Sequence, residues 1–175
     1  MSTMHGHNLL ILHDLSERDA EEVLPQNRKN TVLFPAMPPV RNCIGCFACW
    51  VKTPGACAID DRARQIGDIY PNQDAFIIVS RCVYGGLSPD VKAVLERNMG
   101  VSLLPFFRVV NGEMHHPPRH ERLIELIIHF YGADISEQEQ EIANALVTAN
   151  ALNFNAKKHE VHFHSTLSQV KEALL

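Results

Sequence analysis

The chain has 175 residues, 46% of them apolar and 21% charged, with a formal net charge of -4. A chain of that length can bury one sizeable hydrophobic core, and with no Ser/Gly-rich linker or composition shift it predicts a single domain over residues 1–175. An acidic balance without a stripe of clustered Lys and Arg argues against nucleic acid as a partner, and the short apolar runs argue against a membrane span.

Residues 1–7 are polar and His-containing and do not read as a secretory signal, so a cytoplasmic protein with reduced thiols is expected. Residues 9–12 predict a first strand. Ser16, with Asp19 three residues on, caps a short helix that Pro25 stops. Residues 31–34 predict a second strand, after which Pro35, Pro38 and Pro39 lead into a cysteine-rich loop without regular structure. Asp60 or Asp61 caps a helix with Ala63, Ile66 and Tyr70 on its apolar face. Residues 75–80 are continuous enough to form a strand buried on both faces.

A glycine-bearing turn over residues 83–86 follows. Ser88 and Pro89 then open a helix with Val91, Val94, Leu95 and Met99 on one stripe. Residues 101–118 form a long irregular excursion carrying Leu103, Leu104, Phe106 and Phe107. Residues 123–131 fit either a helical face or a buried strand, and the strand, ended by Gly132, is favoured. Ser136 and Glu139 make a capping box for the longest helix, with Ile142, Leu146, Ala149 and Asn153 along its face. Residues 161–164 give a fifth strand, and Thr166 with Gln169 caps a closing helix to Leu175.

Strands alternating with helices predict a three-layer doubly wound α/β fold of five parallel strands in the order 2-1-3-4-5. Ligands of such sheets bind where the strand order reverses, beside the carboxyl ends of strands one and three. The two loops there are residues 13–18 and 81–86. In the second, Gly85 and Gly86 permit close backbone approach and Tyr84 offers an apolar face to a flat ring, although a tight strand-to-helix turn accounts for them equally well. In the first, Ser16 and Arg18 are able to contact a phosphate. Glu17, Asp19, Glu21 and Glu22 crowd the same turn and would repel one, as in an ordinary capped helix with an acidic face.

Cys43, Cys46, Cys49 and Cys57 have the spacing C-x2-C-x2-C-x7-C, close enough to converge thiolates on one centre. The residue types alone leave open an iron–sulfur cluster, a zinc site, or packing and thiol redox roles. Cys82, at a strand end, reads as packing. Among ten histidines, His115, His116 and His120 lack the i, i+4 spacing of paired helical ligands and read as a surface loop or subunit contact. His162 and His164 share a face of the last strand, and His13 and His129 end two others; any of them could face a ligand, with satisfied imidazoles as the default.

The segment Asn42-Cys43-Ile44-Gly45-Cys46-Phe47-Ala48-Cys49-Trp50, continued to Cys57 and Ile59-Asp60-Asp61, resembles the signature of NADPH-dependent FMN reductase-like and iron–sulfur flavoprotein members of the flavodoxin-like superfamily. Val83-Tyr84-Gly85-Gly86-Leu87-Ser88, with Lys92 and Arg97 downstream, is similar to the segment those proteins place against the flavin. The resemblance covers residues 41–99. It implies an FMN-binding oxidoreductase that takes electrons from NAD(P)H and passes them to a small acceptor such as a quinone or free flavin. It also implies a homodimer or homotetramer, with the apolar excursion as a candidate contact. By the same resemblance Ser80, Arg81, Cys82, Val83, Tyr84, Gly85 and Gly86 would line the isoalloxazine, and Tyr131 with Gly132 would close its other side. The four cysteines, as in iron–sulfur flavoproteins, would hold a [4Fe–4S] cluster. Where the family has a Gly-Ser-Pro-Arg type phosphate loop, this chain has His13-Asp14-Leu15-Ser16-Glu17-Arg18. That substitution leaves room for an alternative, a flavodoxin-like binding protein without flavin. No acid–base residue is required when the cofactor carries the chemistry.

Overall fold

The structure is a computed structural model that describes residues 7–26 and 28–174. The polar start at residues 1–6 and the expected helix end at Leu175 lie outside the described residues. Five parallel strands form the central sheet: β1 (Leu9–His13), β2 (Thr31–Pro35), β3 (Ala75–Arg81), β6 (Ile124–Tyr131) and β7 (Ala156–His164). They lie in the order β2-β1-β3-β6-β7, all pairs parallel. Counted along the sheet strands alone, this is the expected 2-1-3-4-5 order of a flavodoxin-like fold. The apolar run at 126–130 is therefore strand, and β-branched Ile127 and Ile128 with Phe130 suit its pleat.

The core divides into two layers because successive side chains of a strand face opposite ways. Leu10, Leu12, Phe76, Ile78, Leu126, Ile128 and Phe130 face α3 (Ile66–Ile69), α4 (Pro89–Ser102) and α5 (Glu137–Asn153). Leu9, Ile11, Ala75, Ile77 and Val79 face α1 (Glu17–Val23) and α6 (Leu167–Leu174). β1 and β3 are buried on both sides, as their unbroken apolar runs require. β7 closes the edge, and exposed Lys157 and Lys158 on it discourage pairing with another strand.

Four details differ from the pattern expected of the sequence. The core face of α5 is Ala143, Val147 and Ala151, one position on from the predicted stripe, and Ile142 is half exposed. Small residues on that face let the helix lie close to the sheet. On α4 Met99 is also half exposed, while Arg97 and Asn98 are buried. The excursion holds a two-stranded antiparallel hairpin, β4 (Arg108–Val110) and β5 (Glu113–His115). Its turn is Asn111-Gly112, both at positive φ, the combination a two-residue hairpin requires. The cysteine loop contains a one-turn helix, α2 (Ala48–Val51), and two 3-10 turns, Arg62–Gln65 and Tyr70–Asn72, flank α3 where one helix was expected.

Candidate functional site

The carboxyl ends of β1, β3 and β6 are tied together by one side chain that the sequence pattern did not single out. Asp14 follows β1 directly. Its Oδ2 accepts from the Arg81 backbone N–H at 3.0 Å and from the Ser80 hydroxyl at 3.5 Å, and its Oδ1 accepts from the Tyr131 hydroxyl at 2.9 Å. Burial, and then the Asp14 carboxylate itself, push the Tyr131 phenol up, so this hydroxyl stays a donor. Ser80 is wholly buried and its oxygen also accepts the Ser88 N–H at 2.9 Å, fixing the start of α4. The sequence signal for Asp14 was an ionisable residue at the exit of a central strand, and it was masked by the acidic run behind it.

The turn after β3 is a closed two-residue loop. Val83 and Gly86 exchange both backbone hydrogen bonds at 2.9 Å, with Tyr84 at φ 52° and Gly85 at φ 75°. Gly85 is needed for more than its dihedral. A Cβ there would stand 2.7 Å from Ile142 Cβ and 2.8 Å from the Glu139 carbonyl, so the turn rests directly on α5. The Glu139 carboxylate completes the α5 capping box by accepting from the Ser136 N–H at 3.0 Å and the Ser136 hydroxyl at 2.9 Å, and these donors, with the Tyr84 N–H nearby, hold its carboxyl below the usual range. Tyr84 is thereby presented outward, 88% exposed. Cys82 is half-buried beneath the turn. Burial pushes its thiol up, partly opposed by the nearby Gly85 N–H. Cys82 N–H bonds the Tyr131 carbonyl and Gly132 N–H the His164 carbonyl, which places Tyr131 and Gly132 beside this turn. Lys92 Nζ comes near Gly86 from α4, a neighbour the sequence named only as lying downstream.

Ser16 and Arg18, the other predicted contacts, are exposed at the start of α1. The Ser16 hydroxyl donates to Asp19 Oδ2 at 2.7 Å and accepts the Asp19 N–H at 3.2 Å, so it is spent as a cap.

The four cysteines divide into two outward and two inward. Cys43 and Cys46 are exposed, Cys49 is half-buried and Cys57 is buried. Among the described residues no group of three or more His, Cys, Asp or Glu is arranged to hold a metal ion, and the four sulfurs are not gathered on one centre. The organiser of this loop is Arg97, 1% exposed on α4. Its guanidinium donates to Asp61 through two nitrogens (2.9 and 3.0 Å), to the Arg41 and Ile59 carbonyls (both 2.8 Å), and through Nε to Cys57 Sγ at 2.9 Å. Burial pushes the Asp61 carboxyl up, but Arg97 and the Arg41 N–H outweigh it and hold it below the ordinary value. Cys49 packs on Gly100 of α4, and the Trp50 indole donates to the Leu103 carbonyl at 3.0 Å. Burial, and then Cys57, push the Cys49 thiol up.

The histidines of the excursion point to different neighbours, which removes any paired-ligand geometry. His115 meets the Asn153 side chain at 3.2 Å, and His116 packs against the rings of Trp50 and Phe107. At the sheet edge, His129 bonds His164 at 3.0 Å with His162 stacked beside it. Both His13 and His129 are buried and uncharged at neutral pH.

No protein-family model matches the chain, and neither does any curated protein. The fold has relatives among solved structures. It is similar to general stress protein 14 from Treponema denticola in complex with FMN, with 12% identity, a TM-score of 0.53, and 95% of this chain and 90% of that one covered. It is similar to an FMN-dependent NADH-azoreductase from Bacillus anthracis in complex with FMN (11%, 0.53, 96% and 97%) and to an NADPH-quinone reductase from P. pentosaceus (12%, 0.55, 95% and 93%). At these identities the likeness is one of fold.

Proposed function

We propose that this chain is an FMN-binding, NAD(P)H-dependent oxidoreductase that delivers electrons to a small acceptor such as a quinone or free flavin. The supporting observation is the β3–α4 turn. At the topological switch point of a flavodoxin-like sheet it holds out Tyr84, with Val83, Cys82 and Tyr131 alongside, a surface of the kind that receives a flat ring. The ring end of FMN fits these residues; the phosphate end does not fit residues 13–19, where Asp14, Glu17 and Asp19 carry like charge and the Ser16 hydroxyl is already bonded to Asp19. A bound flavin would supply hydride acceptance and release. The chain's part is to orient it. Glu139 fixes the turn, Ser80 and Asp14 fix the strand ends under it, and Arg81 and Lys92 bring positive charge near the ring's place.

The reading includes a cytoplasmic setting, where free thiols such as these five cysteines persist. It also includes a homodimer or homotetramer. Phe106, Phe107, Val109 and Met114, all exposed on the excursion, support a subunit contact there. Visible spectra and released flavin of the purified protein test the proposal, together with NAD(P)H oxidation on addition of FMN. Flavin bands and flavin-dependent oxidation are expected, and a colourless protein that ignores added flavin overturns it. A second reading, a flavodoxin-like binding protein without flavin, is favoured by Asp14, a carboxylate placed among the strand-end donors.

A further inference from the structure

The proposed cofactor has two ends, and they meet different surfaces. A phosphate dianion is held by free N–H and O–H donors, usually those of the loop after β1 and of the helix that follows. In this chain the Ser16 hydroxyl of that loop, and the donors that face it from the ends of β3 and β6, serve internal carboxylates, and the Asp14 N–H is taken by the Val79 carbonyl. Asp14 takes the Arg81 N–H, the Ser80 hydroxyl and the Tyr131 hydroxyl at the ends of β3 and β6. Asp19 takes the Ser16 hydroxyl and returns its own N–H to it. Glu17 and Asp19 occupy the first turn of α1, a helix of only seven residues, and offset its dipole. The nearby cations, Arg18 and Arg81, are exposed and screened by solvent and salt, as Glu17 is, whereas Asp14 and Asp19 are partly buried and less screened.

Resting on the flavin reading above, we infer that the terminal phosphate is not a recognition element of this site: riboflavin is held at least as tightly as FMN. The flavin is then selected by its ring and uncharged ribityl chain. The phosphate meets the field of Asp14, Glu17 and Asp19, a repulsion that added salt weakens.

The test is a pair of fluorescence-quenching titrations of the intact protein with riboflavin and with FMN, at about 20 mM and about 500 mM salt. FMN is expected to bind no tighter than riboflavin at low salt and to gain about twofold or more at high salt, while riboflavin changes little. FMN tighter than riboflavin by more than about threefold overturns this inference and leaves the flavin reading standing. Binding of neither overturns both. A doubly substituted protein, Glu17→Gln with Asp19→Asn, alters exposed or partly exposed residues and is expected to fold. It should bind FMN about threefold or more tighter with riboflavin unchanged, and an unchanged FMN affinity counts against the repulsion.

Discussion

The Tyr131 hydroxyl donates to the Asp14 carboxylate at 2.9 Å, joining the exits of β6 and β1 across 117 positions of sequence. The same carboxylate takes donors from β3, so three strand ends depend on one side chain. Tyr131→Phe removes one of these bonds and should lower stability by about 1 kcal/mol in urea unfolding. Asp14→Ala leaves the Tyr131 phenol and the Arg81 backbone N–H without their acceptor, while the Ser80 hydroxyl keeps the Arg81 carbonyl, and should cost about 2–3 kcal/mol. Equal losses for the two variants would contradict the shared role.

Arg97 is the second such node. Replacing it by Met takes from Asp61 its buried guanidinium, leaving only the Arg41 and Ala63 contacts, and takes from the loop between residues 41 and 61 its anchor, at an expected cost of about 3 kcal/mol. Arg97→Lys should recover little, because a single ammonium cannot reproduce a fork that reaches a carboxylate, two carbonyls and a sulfur. Thiol titration gives the local readout: Cys57, buried in the wild type, should react with an aromatic disulfide much faster in either variant.

Gly85→Ala tests the seat of the turn on α5. The new methyl would meet Ile142 and the Glu139 carbonyl within 2.8 Å on a backbone already at φ 75°, and the expected loss is about 1–3 kcal/mol. Adding Ile142→Ala relieves only the side-chain part of the clash, so the double variant should regain part of the loss. Strict additivity of the two would mean that the turn moves away from the helix instead.

Acid lability should come from the two buried histidines. Burial, opposed by Asp14 and reinforced by Arg62, lowers His13 to about 4, and burial with His162 and His164 lowers His129 to about 3. The unfolded chain takes up these protons near pH 6.5 and the folded chain does not. Stability is therefore full above about pH 6.5 and falls as pH drops toward 4 and 3, by about 3 kcal/mol or more for each residue. His129→Gln should flatten this acid limb in unfolding curves measured between pH 7 and 4, and an unchanged slope would assign the lability elsewhere.

The strand order and the α5 capping box were legible in the sequence because they rest on local signals: unbroken apolar runs for β1 and β3, and Ser136 with Glu139 for α5. The α5 face was misjudged by one position because Ile142 is the larger apolar residue but Ala143 is the one that fits beneath the helix. Asn111-Gly112 was a readable hairpin signal that the apolar residues around it obscured. At the site, the turn at 83–86 was legible, but the use made of Gly85 was not, since the helix it touches lies more than fifty positions away in the chain. Asp14 and Arg97 were the least legible. Their importance comes from partners far along the sequence, and no local pattern distinguishes a carboxylate or guanidinium bonded three or five ways from one in water.

Cys49 fills the space that a side chain on Gly100 would need, so the sulfur and the helix backbone meet with nothing between them. On the side facing α4 no atom can be added to that sulfur, so an oxidation or alkylation that stays on this side must lift the loop from the helix. Trp50 would go with it, releasing the Leu103 carbonyl and the His116 ring from their contacts. A cysteine spacing that looks made for gathering sulfurs thus also sets a size limit, and residue 49 is where that limit is felt.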